Sequence, residues 1–187
     1  MSETTLQIIS KRRSCRSFTT EQLSHQEIEK LIQAAQGAPI GMNFANKIQL
    51  IVIQNKMLLD ELELNTLHYF SDQNHQIANH KIKSALYQAP TLIIVAIEKL
   101  SGPFERGQYC SAACILENMI LTATEMGIGN IYLSGVTTAL NGNIELLKKL
   151  GIPENYQAAS AIAIGRQAKE LQARDLTEDR IVAKWLE

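Results

Sequence analysis

The sequence has no surplus of charge, no long apolar run and few cysteines. Its 18 basic residues against 19 acidic ones leave a formal charge of −1. A general nucleic-acid binder would carry a basic excess, and an acidic tail or a membrane-surface segment would carry a one-sided run, so those classes fall away. Apolar runs such as residues 91–97 are far shorter than the ~20 residues that span a bilayer. The opening residues lack the basic start, apolar stretch and small-residue cleavage site of an export signal. Three cysteines, an odd number without such a signal, point to reduced thiols in a cytoplasmic protein. Walker sequences, nucleophile elbows and zinc-spaced Cys/His sets are missing, so no metal site is expected. With no repeats, low-complexity tracts or linkers, the 187 residues read as one domain, 1–187, large enough to bury a core.

What is present is a chain that is 45% apolar with clear periodicities. Residues 4–10 read as a short helix. Ser24-His25-Gln26-Glu27 fits a capping box, and Ile28, Leu31, Ile32 and Ala35 follow at helical spacing until Gly37, expected to close the helix in the left-handed conformation. A turn at 38–43 leads into a β-branched strand at 48–53. Residues 56–69 read as a helix with Leu58, Leu59, Leu62 and Leu64 facing inward. The most polar stretch, 70–84, is a candidate cover over a site. Residues 91–97, apolar on both faces, form an interior strand. A loop at 101–107 precedes a helix at 108–126 that is apolar nearly all round, as suits a core or a subunit contact. A third strand begins at 131–133, a short helix covers 144–150, and a fourth strand covers 158–164. The tail, 166–187, is too poor in apolar residues to form its own core, so it must dock elsewhere. The architecture is an α+β or α/β layered domain around a small sheet.

The concentrated chemistry lies in Arg12-Arg13-Ser14-Cys15-Arg16-Ser17. In an extended segment Arg12, Ser14 and Arg16 project to one side, and Arg13, Cys15 and Ser17 to the other. Guanidiniums flanking a hydroxyl suit a phosphate and a planar, carbonyl-rich ring, because Arg presents a fixed fork of donors. The competing reading is a solvated basic turn or a weak nucleic-acid patch. Cys15 among arginines would have a lowered pKa, but no partner base is evident for a catalytic role. Gly127-Ile128-Gly129 follows a helix and precedes a strand, the reverse of a dinucleotide-binding loop. Cys110 and Cys114, one turn apart, read as buried small hydrophobes. His68 and His75 lie in so polar a region that they read as solvated.

Arg12-Arg13-Ser14-Cys15-Arg16-Ser17-Phe18, then a capped helix, then Ala38-Pro39-Ile40-Gly41-Met42-Asn43 and a strand, resembles the FMN-dependent nitroreductase family. Ser111-Ala112-Ala113 with Asn118-Met119, the exit Met126-Gly127-Ile128-Gly129, and Leu150-Gly151-Ile152-Pro153 before Ala161-Ile162-Ala163-Ile164-Gly165 are similar to later parts of that family. The resemblance implies an α+β three-layer fold with a small, mainly antiparallel central sheet. It also implies a homodimer exchanging C-terminal arms (about 166–187), with FMN at the interface. Arg12, Arg13, Ser14 and Arg16 would hold the phosphate, ribityl chain and pyrimidine edge. Asn43 would bond the flavin, backbone groups at Leu133, Ser134 and Gly135 would face its reactive edge, and Arg174 would close on the phosphate. Arg16 would favour the reduced flavin, and no catalytic nucleophile is needed. The implied activity is NAD(P)H-dependent reduction of nitroaromatics, quinones or a similar small acceptor by ping-pong hydride transfer. The chain departs from the family where Asn43-Phe44-Ala45-Asn46-Lys47 replaces the usual Asn-x-Gln-Pro-Trp, and where Ile40 replaces Ser. That departure motivates an alternative, a flavin carrier or sensor without reductase turnover.

Overall fold

A computed structural model describes residues 3–72, 83–177 and 180–186. Two helices open the described chain: α1 (Thr5–Lys11) and α2 (His25–Gln36), each started by a reciprocal capping box. A 3-10 stretch, Gly41–Lys47, leads into β1 (Ile48–Ile53), followed by α3 (Lys56–Asp72) and β2 (Thr91–Glu98). Then come α4 (Pro103–Glu125), β3 (Gly129–Leu133), α5 (Gly135–Asn141), α6 (Ile144–Lys149) and β4 (Tyr156–Gly165). The four strands pair antiparallel throughout, in the order β1-β2-β4-β3. The fold is α+β, with helices on both faces of the sheet.

Alternation along β2 builds the two halves of the core. Leu92, Ile94 and Ala96 pack with Leu59 and Leu62 of α3, Leu140 of α5 and Leu146 of α6. Ile93, Val95 and Ile97 pack with Leu31 of α2 and Leu116 and Met119 of α4. Every residue from Thr91 to Ile97 is buried, so the continuous apolar run is what a strand with two covered faces requires. Truncating any of these Leu, Ile or Met side chains to Ala should cost about 2–5 kcal/mol, read from the denaturation midpoint.

Several local expectations are corrected. Gly37 ends α2 at φ −82°, without the left-handed turn; Gly127, at φ +69°, adopts it after α4. Leu64 points outward, 55% exposed, and Thr66 is buried instead, its hydroxyl donating to the Leu62 carbonyl at 2.8 Å. That bond lets a polar residue hold an inward position. Residues 103–107 are helical, not a loop, because Pro103 sits in the first turn, where its missing N–H costs nothing. Cys110 is exposed and Cys114 half-buried, because the apolar pattern of α4 continues onto a face that the described residues leave open. The polar segment read as a cover falls largely on residues 73–82, outside the described residues, as does His75.

The tail's first part docks on its own chain. The Thr19 N–H donates to the Arg166 carbonyl at 2.9 Å, the Ala168 N–H to Ser17 at 3.0 Å and the Arg174 N–H to Ser10 at 2.7 Å. Beyond it, Ile181, Val182, Trp185 and Leu186 lie open, each more than 80% exposed. Gly165 permits a close approach at the end of β4, since a Cβ there would stand 2.7 Å from Pro90 Cδ. Gly165→Ala should therefore destabilise the protein by about 1–3 kcal/mol, read as a lower denaturation midpoint at unchanged denaturant dependence.

Glu27 links the start of α2 to the end of β4. Its carboxylate accepts from the Ser24 N–H and hydroxyl, each at 2.9 Å, and from Arg166 Nη2 at 2.7 Å. The Ser24 N–H foremost, then the Ser24 hydroxyl and the Arg166 guanidinium, hold its pKa below the ordinary 4.5. A depressed carboxyl contributes stability that is present above 4.5 and lost as pH falls through the lower folded value. Glu27→Gln should melt earlier than the parent at neutral pH, and the gap should close in acid well below 4.5.

Candidate functional site

The arginine segment is an extended ribbon clamped on two sides. On one side the Cys15 N–H donates to the Asn130 carbonyl of β3 at 2.8 Å, and Ser14 forms a parallel bridge with Asn130. On the other side lies the tail, with Arg13 Nη1 donating to the Gln172 carbonyl. Gly129 makes the seat, since a Cβ there would lie 3.0 Å from Cys15 Sγ. Cys15 is buried against β3 and Arg13 is turned to the tail. Arg12 and Ser14 are half-buried, and Arg16 is exposed. The Arg12 and Arg16 guanidiniums and the Ser14 hydroxyl form no hydrogen bond or ion pair among the described residues. Arg16 lies over the Tyr87 ring, its Cζ 5.9 Å from the centroid.

The remaining expected residues divide. Leu133 is buried at the end of β3, and Ser134 and Gly135 open α5, with the Phe70 ring packed on Gly135. The Ser134 carbonyl already accepts from the Thr138 N–H and from the Thr137 and Thr138 hydroxyls, so it is committed within α5. Arg174 is brought to the arginine segment by its backbone, which bonds Ser10 in both directions.

Asn43 is not brought there. It sits at φ 57° in the 3-10 stretch, anchored where the Gly41 N–H meets Ser111 Oγ at 3.1 Å, near the start of α4. Asn130, which seats the arginine segment, bonds Thr124 near the other end of α4. At 1.5 Å per residue, Ser111 and Thr124 are separated by about 20 Å. One chain therefore keeps Asn43 and the arginines apart. The segment that replaces the family's usual Gln-Pro-Trp is pinned by a Lys47–Glu98 ion pair and an edge-on Phe44–Phe104 contact.

Cys15 is corrected. Desolvation pushes its thiol pKa up, although a backbone hydrogen bond at Ser17 opposes this, so its arginine neighbours do not make it reactive. Tyr87 was not apparent from sequence, because its position beneath Arg16 depends on a turn far along the chain. No group of three or more side chains able to hold a metal ion occurs among the described residues, and no described helix is long and apolar enough to cross a membrane.

The sequence pattern of the nitroreductase family matches residues 9–166. The chain belongs to the nitroreductase family. A 32% identical relative from Archaeoglobus fulgidus, covering 87% of this chain and 85% of its own, carries the provisional name NADH dehydrogenase/NAD(P)H nitroreductase. Crystal structures of two nitroreductases with bound FMN superpose on this one with TM-scores of 0.83. The Desulfitobacterium hafniense protein is 28% identical and the Bacteroides fragilis protein 26%, and each match covers 99% of this chain and 100% of theirs. The expected fold class is thereby borne out.

In this nitroreductase the three cysteines differ sharply in access. A thiol-reactive probe should reach Cys15 only on unfolding. Peptide mass spectrometry showing Cys15 labelled in the native protein would contradict the buried seat.

Proposed function

We propose that this chain is an NAD(P)H-dependent FMN oxidoreductase. As a homodimer, it reduces nitroaromatics, quinones or similar small acceptors in a ping-pong cycle. The observation that carries this reading is that the Arg12 and Arg16 guanidiniums and the Ser14 hydroxyl have no hydrogen-bond or ion-pair partner among the described residues, while Arg16 lies over the Tyr87 ring. A half-buried guanidinium without an acceptor among the described residues fits a phosphate, and an exposed one held over an aromatic ring fits the edge of a planar heterocycle. The donor set thus fits FMN.

Bound FMN supplies the hydride-accepting and hydride-donating chemistry. Arg12 and Ser14 would take the phosphate and ribityl oxygens, and Arg13, tied to the tail, would add its field. Arg16 would place fixed positive charge where electron density gathers on reduction. Arg174, carried by the tail's grip on Ser10, would close the phosphate side. The backbone at Leu133, Ser134 and Gly135 would face the reactive edge.

Asn43 would come from a second copy, since about 20 Å of α4 separates it from the arginines of its own chain. Two apolar surfaces support such a copy. The outer edge of β1 is unpaired, with Val52 36% exposed, and Ile181, Val182, Trp185 and Leu186 of the arm have no cover. An unpaired apolar edge and an open apolar arm are both liabilities in a lone chain.

Arg12→Ala should weaken FMN binding by about 1.5–3 kcal/mol, the order of one charge-assisted hydrogen bond, in a fluorescence titration. Unchanged affinity would refute the role assigned to Arg12. The carrier or sensor alternative rests on the Asn43–Lys47 departure. Anaerobic mixing of the flavin-loaded protein with NADH or NADPH separates the two: prompt bleaching excludes a pure carrier, and no bleaching with either excludes the reductase.

A further inference from the structure

Tyr87 and Gln88 have φ of 54° and 58°, so two consecutive residues with side chains sit in the left-handed region. That conformation is strained for a residue with a side chain, and a run of two persists only where the surroundings over-determine it. The determinants here are specific. Glu63, on α3, reaches across with both carboxylate oxygens: Oε1 accepts the Ala85 N–H at 2.9 Å and Oε2 the Leu86 N–H at 2.6 Å. Ser84 Oγ accepts the Tyr87 N–H at 2.8 Å, and the Ala89 N–H donates to the Leu86 carbonyl at 3.0 Å. Pro90 closes the segment against the bare Cα of Gly165.

All this fixes one outward-directed feature, the half-buried Tyr87 ring beneath Arg16. Arg16 is otherwise exposed, with a long side chain whose many rotamers are costly to order. A ring 5.9 Å from its Cζ is within cation–π range and narrows those rotamers before any ligand arrives.

We propose that Tyr87, in the strained turn clamped by Glu63, is a positioning residue that orients Arg16 toward the flavin. The inference rests on the reading above that Arg16 faces the cofactor. The ring supplies an apolar, electron-rich floor that holds the guanidinium plane without consuming its hydrogen-bond donors, leaving all five for the cofactor. A carboxylate in Tyr87's place would hold Arg16 more strongly but would occupy those donors. Glu63 acts one step further back, by fixing the backbone that carries the ring.

The test uses the full-length, FMN-loaded protein, with two readouts besides turnover: the FMN dissociation constant and the flavin midpoint potential. Tyr87→Asn removes the ring with a residue that tolerates the left-handed backbone, so folding is spared. It should raise the dissociation constant about two- to fivefold, the worth of an exposed cation–π contact, and make the potential more negative. Tyr87→Phe should change neither. In an Arg16→Ala background Tyr87→Asn should add nothing, and Glu63→Gln should shift both readouts in the same direction as Tyr87→Asn.

The proposal is overturned if Arg16→Ala impairs binding or potential while Tyr87→Asn matches the parent, or if Tyr87→Asn acts equally with and without Arg16. Lower thermal stability for Glu63→Gln with both readouts unchanged would make Glu63 merely structural and overturn its part. If Arg16→Ala itself leaves both readouts at the parent values, the flavin-facing reading of Arg16 falls, and this inference with it.

Discussion

The site depends on one backbone contact, the bond from the Cys15 N–H to the Asn130 carbonyl, made possible because Gly129 has no side chain. An arginine-rich ribbon on a protein surface would ordinarily be a solvated turn with three like charges repelling one another. Laid against the edge of β3, it becomes a strand-like element whose side chains alternate by rule. Burial of Cys15 then fixes the phase. With that thiol committed to the interior, Arg12 and Ser14 stay half-buried and Arg16 exposed. The same ribbon blunts the β3 edge, leaving β1 as the unpaired edge of the described sheet.

Much of this was legible because it rests on local chemistry. The Ser24–Glu27 box, the β-branched run at 48–53 and the seven-residue apolar run at 91–97 each declare their structure within a few residues. What escaped depends on the tertiary setting. Helix α5 has apolar residues at Val136, Ala139 and Leu140 but begins at a glycine and carries two threonines, so its own preference is weak. The outward Leu64 and inward Thr66 exchange roles because one backbone carbonyl satisfies the threonine hydroxyl. The exposure of Cys110 reflects a helix face with no neighbour among the described residues.

The site divides in the same way. Alternation in the ribbon follows from sequence, since an extended chain has only two sides. The separation of Asn43 from the arginines does not, because it is set by the length of α4 between two anchoring side chains, Ser111 and Thr124. Nor do Glu63 and Tyr87, which serve through a turn whose backbone angles no residue type there would announce. Glu63 is one of several acids on an amphipathic helix, distinguished only by the two N–H groups it meets.

The tail's grip on the ribbon also bears on how the protein is made. Ser10 and Arg174 are 164 positions apart, yet they exchange hydrogen bonds that complete the second wall of the ribbon. During synthesis Ser10 leaves the ribosome 164 residues ahead of the Arg174 that closes on it. The nascent chain therefore carries the arginine ribbon without its second wall over all that length, and the ribbon is enclosed on both sides only once the tail has emerged and folded back.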